Sequence, residues 1–162
     1  MKLYLAAKTF HLLGIAAFLG SVFAHIAVSV LPDATSDPQT ILVVRRAIDG
    51  ATRFVTLPGL VLAIGSGIAL TWLGRRDVRR NRWLAVHQII GVLIAINAFL
   101  ILAPTGREAL ALAEAAYAQG ASLAPALTVA AREAQFGPIN VVFTILTVAL
   151  AVFRPRLGAR DT

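Results

Sequence analysis

Lys8, His11 and His25 fall within the apolar stretch Leu3 to Leu31, and His87 falls within Trp83 to Pro104. Placing such groups in hydrocarbon is costly enough that their first reading is functional, with a partner to be named. Imidazole ligates metals, bonds to neighbours and carries protons. Three chemistries are therefore open to His11 and His87: cofactor ligation, an interhelical hydrogen bond, and proton transfer. His11 lies three residues beyond Lys8 and His87 five beyond Arg82. At about 1.5 Å per residue, each sits roughly 5–8 Å inside the same boundary.

Two histidines at matched depth on parallel helices can supply both axial nitrogens of a haem b iron. Gly14 follows His11 by three residues and Gly91 follows His87 by four. Each histidine thus has a glycine on its own helical face, where a flat macrocycle finds room. Lys8, Arg79, Arg80 and Arg82 lie at the same boundary, placed to neutralise propionates. No zinc or copper is expected. Two histidines fall short of the four zinc ligands, and the soft donors copper(I) prefers are missing from a chain with no Cys and only one Met. His25 is fourteen residues after His11, so it faces the same way about 21 Å higher. A second haem there would need a histidine near Ile101, and none exists, so His25 reads as a bonded or surface-proximal residue. No GxGxxG, P-loop, HExxH or GxSxG motif occurs.

The elements that must position these residues follow from composition. Of 162 residues 58% are hydrophobic and only 14% are charged, against about 25% charged in soluble domains. So small a globule cannot cover its surface with so few charges, and lipid is the solvent implied. Spanning about 30 Å of hydrocarbon takes about 20 helical residues. Four stretches qualify, about 3–31, 54–73, 83–104 and 136–153. The alternating patterns of a barrel are missing, so the fold class is all-α, a four-transmembrane-helix bundle in a single domain. Lys2 followed by an apolar run, with Val22-Phe23-Ala24 after it, imitates a cleaved leader. The run continues to Leu31, which favours a span.

Orientation follows from Lys and Arg near the span ends. Arg75, Arg76, Arg79, Arg80 and Arg82 join the second and third spans against Asp77 alone; Lys2, Lys8, Arg154, Arg156 and Arg160 lie near the termini. Both termini are therefore expected in the cytoplasm, with the chain in a bacterial inner membrane. Arg45, Arg46, Arg53, Arg107 and Arg132 on the other side are balanced by Asp33, Asp37, Asp49, Glu108, Glu114 and Glu133. The net charge of +7 is thus a topology signal, not a nucleic-acid footprint.

Two outer helical segments are expected, about 38–53 and 105–135. Asp37-Pro38 signals a cap and first turn. Thr105 and Glu108 read as a capping box opening an Ala-rich segment that Gly120 stops, and Ser122 to Gln135 as its return helix. The result is an extracytoplasmic hairpin between the third and fourth spans. Gly14, Ala17 and Gly20, with Gly59, Ala63 and Gly67, have spacings that let backbones meet. Pro58 and Pro138 are expected to kink or end helical structure.

Lys8, His11 and Gly20, Arg45-Arg46, Pro58 and Gly67, Trp83-Leu84, and the closing Phe153-Arg154-Pro155 resemble the four-helix membrane superfamily of HemJ-type protoporphyrinogen oxidases and the CopD copper-resistance membrane domain. The chain is most similar to small bacterial integral membrane proteins of that type. The resemblance covers most of the chain except the Ala-rich hairpin. It implies that His11 is associated with haem b. HemJ-type enzymes carry a functional lysine after the third-span Trp-Leu, where this chain has His87. Their Asn-Glu before the last-span proline is replaced by Gln135, Phe136 and Gly137. Both departures speak against protoporphyrinogen oxidation and leave haem binding open. The expected function is redox chemistry or electron transfer; the alternatives are a membrane subunit or assembly factor with structural histidines, and proton or small-solute transport. The expected partners are the lipid bilayer, a membrane electron-transfer partner or quinone, and a second copy of the chain.

Overall fold

Lipid offers backbone groups nothing to bond to, so a spanning segment must pair its own N–H and C=O groups as a helix. The computed structural model describes residues 1–29, 37–75, 78 and 81–155, and no strand occurs among them. The helices are α1 (Lys2–Ser29), α2 (Pro38–Ala51), α3 (Leu57–Leu73), α4 (Arg82–Ile96), α5 (Ala103–Gln119) and α6 (Ala124–Phe153), with π turns Thr52–Thr56 and Asn97–Leu102. Joined through those turns they make four long helices, Lys2–Ser29, Pro38–Leu73, Arg82–Gln119 and Ala124–Phe153, each long and apolar enough to cross a membrane. The protein is a multi-pass integral membrane protein with four spans. The expected end of the first span at Leu31, and the basic residues Arg76, Arg79, Arg80, Arg156 and Arg160, lie outside the described residues.

In the bundle α1 packs on α3 and α4 on α6. The start of α1, end of α3, start of α4 and end of α6 share one end, the terminal end. At the other, capped end, α2, α5 and the first half of α6 pack into a second layer. Phe18, Leu60, Ile94 and Ala98 form the bundle core, flanked by Ile64, Ile90 and Phe143.

Helices in lipid associate through van der Waals contact and hydrogen bonds rather than hydrophobic exclusion, so close approach decides which pairs form. A Cβ on Gly14 would lie 2.5 Å from the Ala63 nitrogen, and one on Gly59 2.9 Å from the Phe18 nitrogen. Farther along the seam, the buried Ser21 and Thr56 hydroxyls meet at 2.6 Å. Gly20, expected in this seam, faces open space. Six residues turn a helix through about 600°, which leaves Gly20 roughly 120° off the face that Gly14 occupies.

The capped layer starts as Asp37-Pro38 predicts. Asp37 accepts from the amides of Gln39 and Thr40, and the Thr40 hydroxyl and amide hold its carboxyl below the usual carboxylate range. Leu42, Ala113 and Ala126 form this layer's core. Arg45 pairs with Glu133 in a mostly buried contact, and Arg46 pairs with Glu114 at the surface. Gly106 makes room for the first pair, since a Cβ there would stand 2.8 Å from Glu133 Oε1.

Three local expectations are corrected. Thr105 and Glu108 are not a capping box, because the helix runs unbroken from Arg82 to Gln119 and Thr105 is buried within it. Pro58, expected to kink or end its helix, does not end it, and the third long helix runs on past Pro104, where the third span was expected to stop. Leu57, just before Pro58, donates to Thr52, and Ala103, just before Pro104, donates to Ala98. Both are five-residue steps that widen the turn where a proline ring meets the preceding carbonyl. Pro138 lies inside α6, so the return helix expected over Ser122 to Gln135 is not separate: it starts at Ala124 and continues into the last span. The turn itself falls at Gly120, as expected, with φ of +62°.

Two contrasts test this packing by thermal unfolding in detergent. Gly14→Leu should destabilise by at least about 1–3 kcal/mol through overpacking, while Gly20→Leu stays near wild type. Arg45→Ala, which strands Glu133, should cost about 3–5 kcal/mol, and Arg46→Ala less than about 1 kcal/mol.

Candidate functional site: two histidines tethered to neighbouring helices

Where α1 crosses α3 the small residues bring the helices close enough for a side chain of one to reach the backbone of the other. His11 Nδ1 lies 2.7 Å from the Ala63 carbonyl and 3.3 Å from Ser66 Oγ. Ser66 Oγ itself donates back to the Leu62 carbonyl. The His11 ring also lies over Gly67, where a Cβ would stand 3.2 Å from its Cε1. On the other pair, His87 Nδ1 lies 3.0 Å from the Thr147 carbonyl of α6. A ring nitrogen facing a carbonyl must carry the proton, so both rings are Nδ1–H tautomers when neutral and Nε2 carries the lone pair. Neither Nε2 has a hydrogen-bond partner among the described residues.

The two rings share a level. Phe18 and Ile94 belong to one core cluster, and each lies seven residues beyond a histidine on its own helix. Seven residues are nearly two whole turns, so His11 and His87 lie on the core-facing sides of α1 and α4, about 10.5 Å nearer the terminal end. Both are partly buried.

The remaining predicted site residues divide. Gly91 has nothing within 4 Å of the place a Cβ would take, so α4 is unobstructed one turn beyond His87. Gly14 is different: it is buried against the α3 backbone and offers a macrocycle no surface, because the seam with α3 occupies that part of its face. Lys8 and Arg82 are exposed at the terminal end and enter no ion pair among the described residues. Arg154 lies over the Trp83 ring, 5.8 Å from its centroid. Arg79 and Arg80 lie outside the described residues.

Several polar side chains join the site without having been singled out. Gln88 donates to Thr71 Oγ1 at 3.0 Å, tying α4 to α3 beside the histidines. Asn97 donates to Asn140 Oδ1 at 2.9 Å and to the Phe136 carbonyl at 3.0 Å. Thr144 and Thr147 continue one buried face of α6 from Asn140 toward His87. Their signal was the 140, 144, 147 spacing of polar residues in an apolar helix, which attention to ionisable groups alone passes over. No group of three or more His, Asp or Glu able to hold a metal ion occurs among the described residues.

Residues 5–155 match the family model described as a predicted integral membrane protein, DUF2269. No curated protein and no solved structure matches the chain.

Because Gly67 lies against the His11 ring and Gly91 faces open space, the two glycines should respond differently to a methyl group. In haem-free protein, Gly67→Ala should shift the His11 ring ¹⁵N resonances and leave those of His87 in place, while Gly91→Ala leaves both sets unmoved.

Proposed function

The chain belongs to the DUF2269 family of predicted integral membrane proteins, and we propose that it binds haem b through His11 and His87. The observation that carries this reading is the pair of Nδ1 contacts to carbonyls of neighbouring helices. Iron-ligating histidines characteristically donate their second ring nitrogen to a carbonyl or carboxylate, which sets the tautomer and raises the basicity of the ligating nitrogen. Both rings here have that arrangement, with Nε2 unpartnered among the described residues. The resemblance to HemJ-type oxidases, in which the first-span histidine is associated with haem, supports the same assignment for His11.

In this reading His11 and His87 would hold the haem iron through their Nε2 atoms, Gly91 would leave space beside His87, and Lys8 and Arg82 would offer cations for propionates at the boundary. A bound haem would supply one-electron chemistry, its potential tuned by the carbonyl contacts behind each imidazole. The residues here bind and orient it, and the surrounding apolar side chains limit access of water. Lys2, Lys8, Arg75, Arg82 and Arg154 gather at the terminal end, which supports cytoplasmic termini in a bacterial inner membrane.

A second reading rests on the same contacts. His11 ties α1 to α3 and His87 ties α4 to α6, so both histidines serve as interhelical bonds in a membrane subunit or assembly factor. The two readings separate on colour. Protein purified in mild detergent from haem-replete cells should be red, with one low-spin haem b per chain. Either His→Ala variant should lower haem content by more than about tenfold, since even outer-shell partners of a metal site are worth about 10–100-fold. Colourless wild-type protein, with His→Ala variants that only melt earlier, would reject haem and leave the structural role.

A further inference from the structure

Near the capped end, where α1 meets α2, a small apolar cavity of about 190 Å³ is lined by Ala24, His25, Val28, Ala47, Ile48 and Ala51. Ala24 and Ala47 are exposed, so the cavity is reached from the surface of the bundle. Among the described residues its only ring nitrogens are those of His25, and His25 Nε2 is buried with no hydrogen-bond partner there. The Ile48 carbonyl lies within reach of the ring, and Glu133 and Arg45 act on it electrostatically, but no hydrogen bond to Nε2 is completed among the described residues. A buried polar atom left unpaired is destabilising, and its presence in a native structure needs an explanation.

We propose that this cavity binds the headgroup of a quinone, with His25 Nε2–H donating to a ring carbonyl. Apolar cavities of about 150 Å³ stay dry and accept one benzene-sized ring, so the volume fits a single six-membered ring. The walls supply methyl and aliphatic contacts to its faces. A ring carbonyl supplies the acceptor that Nε2 lacks, and a membrane-dissolved ligand reaches the cavity through lipid. The site is distinct from the His11–His87 level and does not depend on haem being bound there: His25 lies fourteen residues beyond His11, about 21 Å along α1.

The test uses the full chain in lipid nanodiscs, with empty nanodiscs as the blank. Two probes of one shape are compared by saturation-transfer NMR: tetramethyl-1,4-benzoquinone and 1,2,4,5-tetramethylbenzene, which lacks the carbonyls. Wild type should prefer the quinone by about tenfold, the value of one buried hydrogen bond. His25→Leu should abolish that preference, His25→Gln should keep it by retaining an N–H donor, and Ala47→Phe should weaken both probes by filling the cavity. Equal affinity of wild type for the two probes, or an unchanged preference in His25→Leu, overturns the proposal. Because the readout needs no chromophore, a haem-free preparation tests it equally well.

Discussion

The approach of α1 to α3 at Gly14, Gly59 and Ala63 is the constraint on which the rest of the bundle depends. In water, apolar exclusion would hold two helices together at many separations; in lipid that drive is missing, and contact quality selects the geometry. Without side chains at Gly14 and Gly59 the two backbones come within touching distance. At that separation a histidine ring on α1 reaches a main-chain carbonyl on α3, and Ser21 reaches Thr56. A wider seam would leave His11 without its acceptor and open the core around Phe18 and Leu60.

Several polar groups in the membrane interior are matched by the same economy, while Asn97 Oδ1 has no partner among the described residues. His11, His87, Gln88 and Asn97 each bond to a different helix from their own, so each bond also specifies which helices are neighbours. Threonines on α6 satisfy their hydroxyls on their own helix and add polarity to the interior without demanding a partner. The capped layer follows other rules. It lies at the end of the bundle away from the termini, packs alanines closely between α2, α5 and α6, and uses ion pairs of very different burial to align them.

Most of the architecture was legible in the sequence because hydrocarbon thickness and backbone pairing leave few options: the spans, the Asp37-Pro38 start and the Gly120 turn follow from length, capping chemistry and left-handed φ. The histidines stood out because their placement is costly. Their acceptors did not, because those are main-chain carbonyls, which every residue possesses and no side-chain pattern reveals. Gly14 shows the limit of spacing arguments. Three residues from His11, it is as well placed to line a cofactor cleft as to meet another helix, and only the position of α3 decides. Continuity through Pro58 and Pro104 was equally hidden, since a proline reads as a break unless the preceding turn is known to have widened.

Those widened turns have a consequence for how the molecule is partitioned. Each adds a residue to one turn, advancing everything beyond it by about 100° relative to an uninterrupted α-helix. Thr52–Thr56 and Asn97–Leu102 both lie between the bundle and the capped layer, so two continuous rods change phase where one region gives way to the other. Each rod thereby carries two independent faces, one addressed to the membrane partners and one to the cap.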